Sequence, residues 1–229
     1  MKIKNNLLVV FVLIVASCSD ANKSTNLEVS LHDKPLLEVQ IQPRPLPNPN
    51  KNAYYGDLHV HTENSFDAYT FGTISTPADA YKYAQGYPIL HPSGYLIQLS
   101  KPLDFYAVTD HGIFMGLMKE AADTTSKFSQ YEFTKPLHNL NESAGMGFFS
   151  LIKRQGLFKP FGEEVRAGLE DGSIDLSLIL EVGRTVWQKT IKAADDAYVP
   201  GTFTTFAAYE YTPSLDLYNN YLHRNVIFK

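Results

Sequence analysis

Cysteine is almost absent from the chain, which has 229 residues and a single thiol at Cys18. One thiol excludes an internal disulfide and every thiolate-rich zinc site, so a bound metal would depend on His, Asp and Glu. An excess of positive charge is also lacking, because the formal net charge is −4 and no run of Lys and Arg indicates a nucleic-acid surface. A hydrophobic content of 44% is typical of a folded domain.

The apolar run from Leu7 to Val15 is too short to cross a membrane, which needs about 20 residues. Lysines precede it, and Val15-Ala16-Ser17-Cys18 follows, which resembles the lipobox of a bacterial lipoprotein signal. The resemblance implies a signal peptide over residues 1–18 and a lipid anchor to the membrane through Cys18. We therefore expect a lipid-anchored protein of the bacterial cell envelope, with Ser19 favouring the outer membrane. An ordinary cleaved signal peptide is the alternative.

Residues 19–52 are polar and rich in proline, which occupies every second position from Pro43 to Pro49. Such a stretch can neither pair in a sheet nor continue a helix, so it predicts a polyproline-like linker. We therefore expect the folded domain over residues 53–229.

Strand-like and helix-like segments alternate through this domain. Strands are predicted at 53–62, 103–109, 203–209 and 222–228 from their apolar patterns. Helices are predicted at 77–85, with Thr76 as N-cap and Pro77 in the first turn, and at 113–122 and 173–197. The alternation indicates an α/β barrel or doubly wound sheet whose site lies beyond the carboxyl ends of the strands. The apolar stripe expected on the last helix is Leu176, Ile179, Leu180, Val186 and Trp187.

Ionisable side chains lie near one end of each of the four predicted strands. Asp57, His59 and His61 are spaced by two, so an extended chain points all three to one side. Two further strands end at Thr109-Asp110-His111 and at Glu210, and another begins at His223. Charged groups that converge in a core cost several kcal/mol unless they are paired or bind a cation, which favours a divalent metal site. Histidines that are simply paired or exposed are the alternative.

The motifs Asp57-Leu58-His59-Val60-His61-Thr62, Ser65-Phe66-Asp67 and Thr109-Asp110-His111-Gly112 resemble the opening of the polymerase and histidinol phosphatase superfamily of metal-dependent phosphoesterases. The segments Tyr209-Glu210-Tyr211-Thr212 and His223-Arg224-Asn225-Val226-Ile227-Phe228 are similar to a secreted branch known only as a domain of unknown function.

The resemblance implies a distorted (β/α) barrel, incomplete at its C-terminus in this chain, with two or three divalent ions of zinc, manganese or iron. It implies that His59 and His61 ligate one ion, that Asp67 and His111 serve a neighbouring one, and that Glu210 bridges. It also implies that His223 is the last metal ligand within this part of the chain. The remaining implied roles are orientation of imidazoles by Asp57 and Asp110 and, for Arg224, binding of a substrate phosphate or a surface ion pair.

The expected function is therefore a metal-dependent hydrolase, most simply a phosphoesterase that acts on a phosphorylated or other small-molecule ester through a metal-activated water. An amidohydrolase-type metal hydrolase, a lipid-anchored binding module without turnover and an inactive fragment are the alternatives. We also expect the chain alone to be catalytically incomplete, because the family uses further ligands beyond the Glu210 and His223 segments.

The lipobox predicts that the wild-type protein, expressed in a bacterium, partitions with membranes and that Cys18→Ser does not become lipid-modified. The thiol is the acceptor of the diacylglyceryl group, and serine lacks it. Mass spectrometry of the mature amino terminus measures this. An unmodified terminus at Ser19 or Ala21 in the wild type would show an ordinary signal peptide instead.

Overall fold

A computed structural model describes residues 43–142, 148–213 and 222–228. The predicted signal peptide with Cys18, and the linker before residue 43, lie outside these ranges. The described strands are β1 (Gly56–Asp57), β2 (Ile89–Leu90), β3 (Leu96–Ile97), β4 (Phe105–Ala107), β5 (Thr204–Phe206), β6 (Ala208–Tyr211) and β7 (Arg224–Ile227). The described α-helices are α1 (Phe66–Thr70), α2 (Pro77–Ala84), α3 (Leu117–Ala122), α4 (Phe148–Asp171) and α5 (Leu176–Ala197), with 3₁₀ helices at Phe128–Gln130 and Glu132–Leu137.

The central sheet is parallel and has the order β1, β4, β5. Gly56 lies opposite Phe105, and a side chain at Gly56 would collide with the Phe105 carbonyl, so glycine permits this close pairing. β6 and β7 form an antiparallel hairpin, and a parallel bridge between His111 and Glu210 attaches it to the segment that follows β4. The predicted α/β class is thus confirmed. Among the described residues the sheets do not close into a barrel.

Several predicted elements are present but shorter. The helix predicted at 77–85 is confirmed as α2, where Thr76 and Asp79 exchange the hydrogen bonds of a capping box. The helix expected from residue 113 begins only at Leu117, because Gly116 adopts a left-handed conformation (φ 76°) before it. The helix expected from residue 173 begins after Asp175, whose carboxylate accepts a hydrogen bond from Ser177 N.

One expectation about the helical region was wrong, and one described helix was not predicted. The apolar stripe of α5 does not include Leu176 and Leu180, which are 53% and 55% exposed. The described helix α4, with Pro160 inside it and a weak apolar periodicity, was not predicted at all. The stripe was wrong because the partners on which α5 packs are not specified by its own sequence, whereas α4 was missed because its apolar residues lack a clear helical period. No helix among the described residues is both long enough and apolar enough to cross a membrane.

Two apolar clusters hold these elements together. One joins α1, α3, α4 and α5 and has Leu117, Phe128 and Val165 at its centre, all at most 1% exposed. The other packs α2 and α5 against the central sheet through Tyr81 and Val108. The sheet and α1 therefore pack in different apolar clusters, and α5 contributes to both.

The first cluster predicts that alanine substitutions at two leucines differ in their effect on the free energy of unfolding. Leu117→Ala removes a side chain that is 1% exposed and leaves a cavity, so we expect a loss of about 2–5 kcal/mol in the free energy of unfolding. Leu180→Ala is the matched control because Leu180 is 55% exposed, and its expected change is within about 0.5 kcal/mol. Urea denaturation of both variants measures this, and equal losses would contradict the described core.

Candidate metal centre

The loops after β1 and β4 run side by side because threonine and aspartate side chains join them. Thr109 N donates to the Val60 carbonyl at 2.7 Å, and Val60 N donates to Thr109 Oγ1 at 2.9 Å. Asp110 accepts from Thr62 N at 2.5 Å and from Thr62 Oγ1 at 2.7 Å. Thr62, Thr109 and Asp110 are all fully buried. This clamp holds the segment carrying His59 and His61 beside the segment carrying His111.

Glu210 lies at the centre of the resulting cluster, with its side chain only 2% exposed. Its backbone is fixed on both sides, since Glu210 N donates to the Asp110 carbonyl and Gly112 N donates to the Glu210 carbonyl. Its carboxylate faces four imidazoles. The Oε2 distances are 3.0 Å to His59 Nε2, 2.7 Å to His61 Nε2 and 3.7 Å to His111 Nδ1, and Oε1 lies 2.5 Å from His223 Nδ1.

Asp67 forms a second carboxylate position at the start of α1. Its Oδ2 lies 3.2 Å from His61 Nδ1 and 3.5 Å from His111 Nε2. His111 is further held by Phe66, whose ring stacks on it with centroids 4.5 Å apart, and by Thr212 Oγ1 at 2.5 Å from Nδ1. His61 therefore lies between the two carboxylates.

Three overlapping groups of ligand atoms can hold a metal ion, and within each group these atoms all lie within 4.8 Å of one another. The groups are His59, His61 and Glu210; His61, Asp67 and His111; and His111, Glu210 and His223. Imidazole and carboxylate donors suit zinc, manganese and iron. The donor set therefore fits a divalent transition metal, and Glu210 belongs to two of the groups.

The electrostatics of the cluster favour charge on the carboxylates. Burial raises the pKa of Glu210, but the charge of His111 and hydrogen bonds from His59 and His61 outweigh it and leave the pKa below its ordinary value. Burial likewise raises the pKa of Asp67, and hydrogen bonds from His111, His61 and Ser65 reverse the shift and lower it strongly. Both carboxylates are thus ionised at neutral pH and available to a cation.

Asp57 and Asp110 differ from the roles that the resemblance implied. Asp57 accepts a hydrogen bond from His59 N at 2.9 Å, and Asp110 binds Thr62, so among the described contacts neither carboxylate orients an imidazole. Both instead fix the backbone that carries the histidines. Burial raises the pKa of Asp110 to about 6 despite the hydrogen bonds from Thr62.

Arg224 does not face the cluster. In the hairpin Glu210 pairs with Asn225 and Tyr211 pairs with Arg224, and paired residues share a face while neighbours along a strand alternate. Arg224 therefore points away from the face that carries Glu210 and His223, and it is exposed. The register thus gives no support to a role in binding substrate phosphate.

Sequence reasoning missed the hydroxyl groups that support the site, namely Thr62, Ser65, Thr109 and Thr212. Each is at most 8% exposed. Their positions beside the His and Asp motifs were a signal, because a buried hydroxyl needs a hydrogen-bond partner.

The cluster predicts that the purified full-length protein contains at least one transition-metal ion per chain and that His59→Ala combined with His61→Ala loses it. The double variant removes two imidazoles from the first group of ligand atoms and one from the second. His91→Ala is the control, because His91 lies away from the cluster and stacks on Tyr95. Elemental analysis measures the metal content, and unchanged content in the double variant would refute the assignment.

Acid is expected to release the metal. Burial lowers the pKa of His61, but hydrogen bonds and charges of Asp67 and Glu210 outweigh it and raise the pKa above 6.5. Protonated imidazole cannot ligate, so affinity should be full well above the raised pKa and should fall as the pH drops through it. Equilibrium dialysis at about pH 8.5 and about pH 5.5 measures the occupancy. Equal occupancy at both values would contradict this.

A family model described as "Protein of unknown function (DUF3604)" matches residues 48–229 of the chain. The comparisons with curated proteins and with solved structures gave no match. The matched range contains the central sheet, the hairpin and all six side chains of the three ligand groups. The chain therefore belongs to the DUF3604 family of proteins of unknown function.

Proposed function

We propose that the protein is a metal-dependent hydrolase, a phosphoesterase of the polymerase and histidinol phosphatase type on a distorted barrel. The main support for the proposal is the environment of Glu210, a buried carboxylate with an imidazole nitrogen within 3.0 Å of each of its two oxygens. Its Oε2 faces His59 and His61, and its Oε1 faces His223. With His59, His61 and His223, this carboxylate would hold divalent ions, and such ions would supply an activated water and stabilise the leaving oxygen of an ester.

The side chains of the cluster would hold the ions and leave room for a substrate. The predicted domain also lacks a cysteine that could act as a nucleophile. Bound divalent ions lower the pKa of a water molecule and stabilise charge on a phosphoryl oxygen. The side chains of His59, His223 and Asp67 are 61%, 40% and 37% exposed, so an ester can approach the cluster from this side. A cysteine nucleophile is excluded over 53–229, because the only thiol of the chain is Cys18.

We further propose that the domain is lipid-anchored in the bacterial cell envelope through Cys18. At the end of the linker, Arg44 N donates to the Gly201 carbonyl at 3.4 Å and the Arg44 side chain bonds to Thr204 Oγ1. These residues lie at the amino ends of the parallel strands, whereas the metal cluster lies beyond the carboxyl ends. In an anchored protein, the linker would thus join the domain at the end opposite to the cluster.

The proposal predicts that metal-loaded full-length protein hydrolyses bis(p-nitrophenyl) phosphate and that Glu210→Gln lowers kcat/KM by at least about 100-fold. The amide keeps the size of the side chain but removes the charge that two ligand groups share. Arg224→Ala should stay within about threefold of wild type, because the side chain points away from the cluster.

Release of p-nitrophenolate measures the rate, and chelation followed by addition of zinc or manganese is the control. Turnover that survives chelation, or full activity in Glu210→Gln, would contradict a metal-dependent mechanism. A protein that binds metal stoichiometrically without hydrolysing a range of phosphoesters and amides would instead favour a binding module.

A further inference from the structure

Asn225 lies in β7 opposite Glu210, and paired residues of a hairpin share a face, so its side chain is on the side of the metal cluster. Its Nδ2 donates to the Leu58 carbonyl at 2.7 Å, although 167 residues separate the two. Because a carbonyl can only accept, the amide must direct its NH₂ group towards Leu58. Its Oδ1 is buried and has no hydrogen-bond partner among the described residues. The side-chain amide thus makes one hydrogen bond, which joins the hairpin to the segment after β1.

That hydrogen bond holds the peptide unit immediately before the side chain of His59. The carbonyl of this unit is that of Leu58 and accepts from Asn225. The N–H of the same unit is that of His59 and donates to Asp57 Oδ1 at 2.9 Å. The following peptide unit is held as well, because its N–H donates to Thr109 Oγ1 at 2.9 Å. Both peptide units that flank the His59 side chain are therefore fixed.

His59 depends on this backbone support more than His61 and His111 do. Its side chain is 61% exposed, whereas those of His61 and His111 are 18% and 5% exposed and have neighbours that hold them. An exposed imidazole has few contacts of its own, so the position of its backbone decides whether Nε2 reaches Glu210 Oε2, which lies 3.0 Å away. Asn225 couples that position to the hairpin that carries Glu210.

We infer that Asn225 is a positioning residue of the metal centre, which places His59 opposite Glu210 by holding the Leu58 carbonyl. The inference rests on the proposed metal function and extends it to a residue outside the three ligand groups. Without this amide, the segment after β1 and the hairpin can move apart at His59. The first ligand group then loses one of its three members.

Asn225→Leu tests the placement of His59 without any metal. Leucine is close to asparagine in size and shape but cannot donate to the Leu58 carbonyl. In NMR spectra of the metal-free full-length protein at one fixed pH, we expect the imidazole signals of His59 to shift more than those of His111. His111 is the internal reference, because it is buried and stacks on Phe66.

Gln85→Leu is the matched control variant. Gln85 Nε2 also donates to a backbone carbonyl, that of Ala197 at 3.0 Å, and this bond joins the end of α2 to the end of α5. The control therefore removes the same kind of hydrogen bond away from the cluster and should leave the imidazole signals unchanged. Urea denaturation shows whether each variant folds cooperatively, and Asn225→Ala, which also lacks the amide, takes the place of a leucine variant that does not fold.

Zinc affinity, measured by competition with a chelating dye, tests the effect on metal binding. Asn225→Leu should bind zinc about 10-fold more weakly than wild type, and Gln85→Leu should stay within about threefold. Combined with His59→Ala, Asn225→Leu should add less than about threefold to the loss, because the side chain that it positions is already missing. A role in general stability would instead add its full loss to that of His59→Ala.

Unchanged His59 signals in Asn225→Leu would overturn the inference, as would equal losses of zinc affinity in Asn225→Leu and Gln85→Leu or independent losses in the combined variant. A wild-type protein that does not bind zinc would contradict the metal function, and the His59 signals would then decide the role of Asn225 alone. Zinc binding with the expected differences but without phosphoester turnover would contradict the proposed hydrolase function and leave this inference standing.

Discussion

The buried charge of Glu210 is the constraint on which the rest of the site depends. Its side chain is 2% exposed, and an ionised carboxylate removed from water costs several kcal/mol unless cations or donors compensate it. The compensation comes from His59, His61, His111 and His223, which all approach its two oxygens. Imidazoles can supply that compensation as protonated donors or, when neutral, as fellow ligands of a metal ion. The same arrangement is therefore compatible both with a folded protein without metal and with a bound divalent ion.

The scaffold delivers these imidazoles from distant parts of the sequence. His61 and Glu210 are brought to 2.7 Å although 149 residues separate them. The parallel pairing of β1 with β4 and of β4 with β5 aligns the three carboxyl ends, and the Thr62, Thr109 and Asp110 clamp extends this alignment into the loops. A parallel sheet thus concentrates polar residues at one edge, where α/β folds carry their sites.

The residues at the strand ends could be predicted because their chemistry is local. A His-x-His pair in an extended segment and a carboxylate after an apolar strand are visible in the sequence, as is Thr76 at the N-cap of α2. The sequence did not show which residues that are distant along the chain come into contact. Asp110 was expected beside an imidazole and instead binds Thr62, since the register between the two loops decides its partner. Helix α4 was missed because its apolar residues lack a clear helical period.

The hairpin of β6 and β7 shows why register decides function more than residue type does. Glu210, Thr212 and His223 share one face, while Tyr211 and Arg224 lie on the other. The outward face carries Tyr209 and Phe228, which pack near Trp187 of α5. A shift of one residue would turn Arg224 towards the cluster and His223 away from it, and would expose the aromatic contacts with α5. The packing of Tyr209 and Phe228 on the outer face therefore stabilises the register that keeps His223 at 2.5 Å from Glu210.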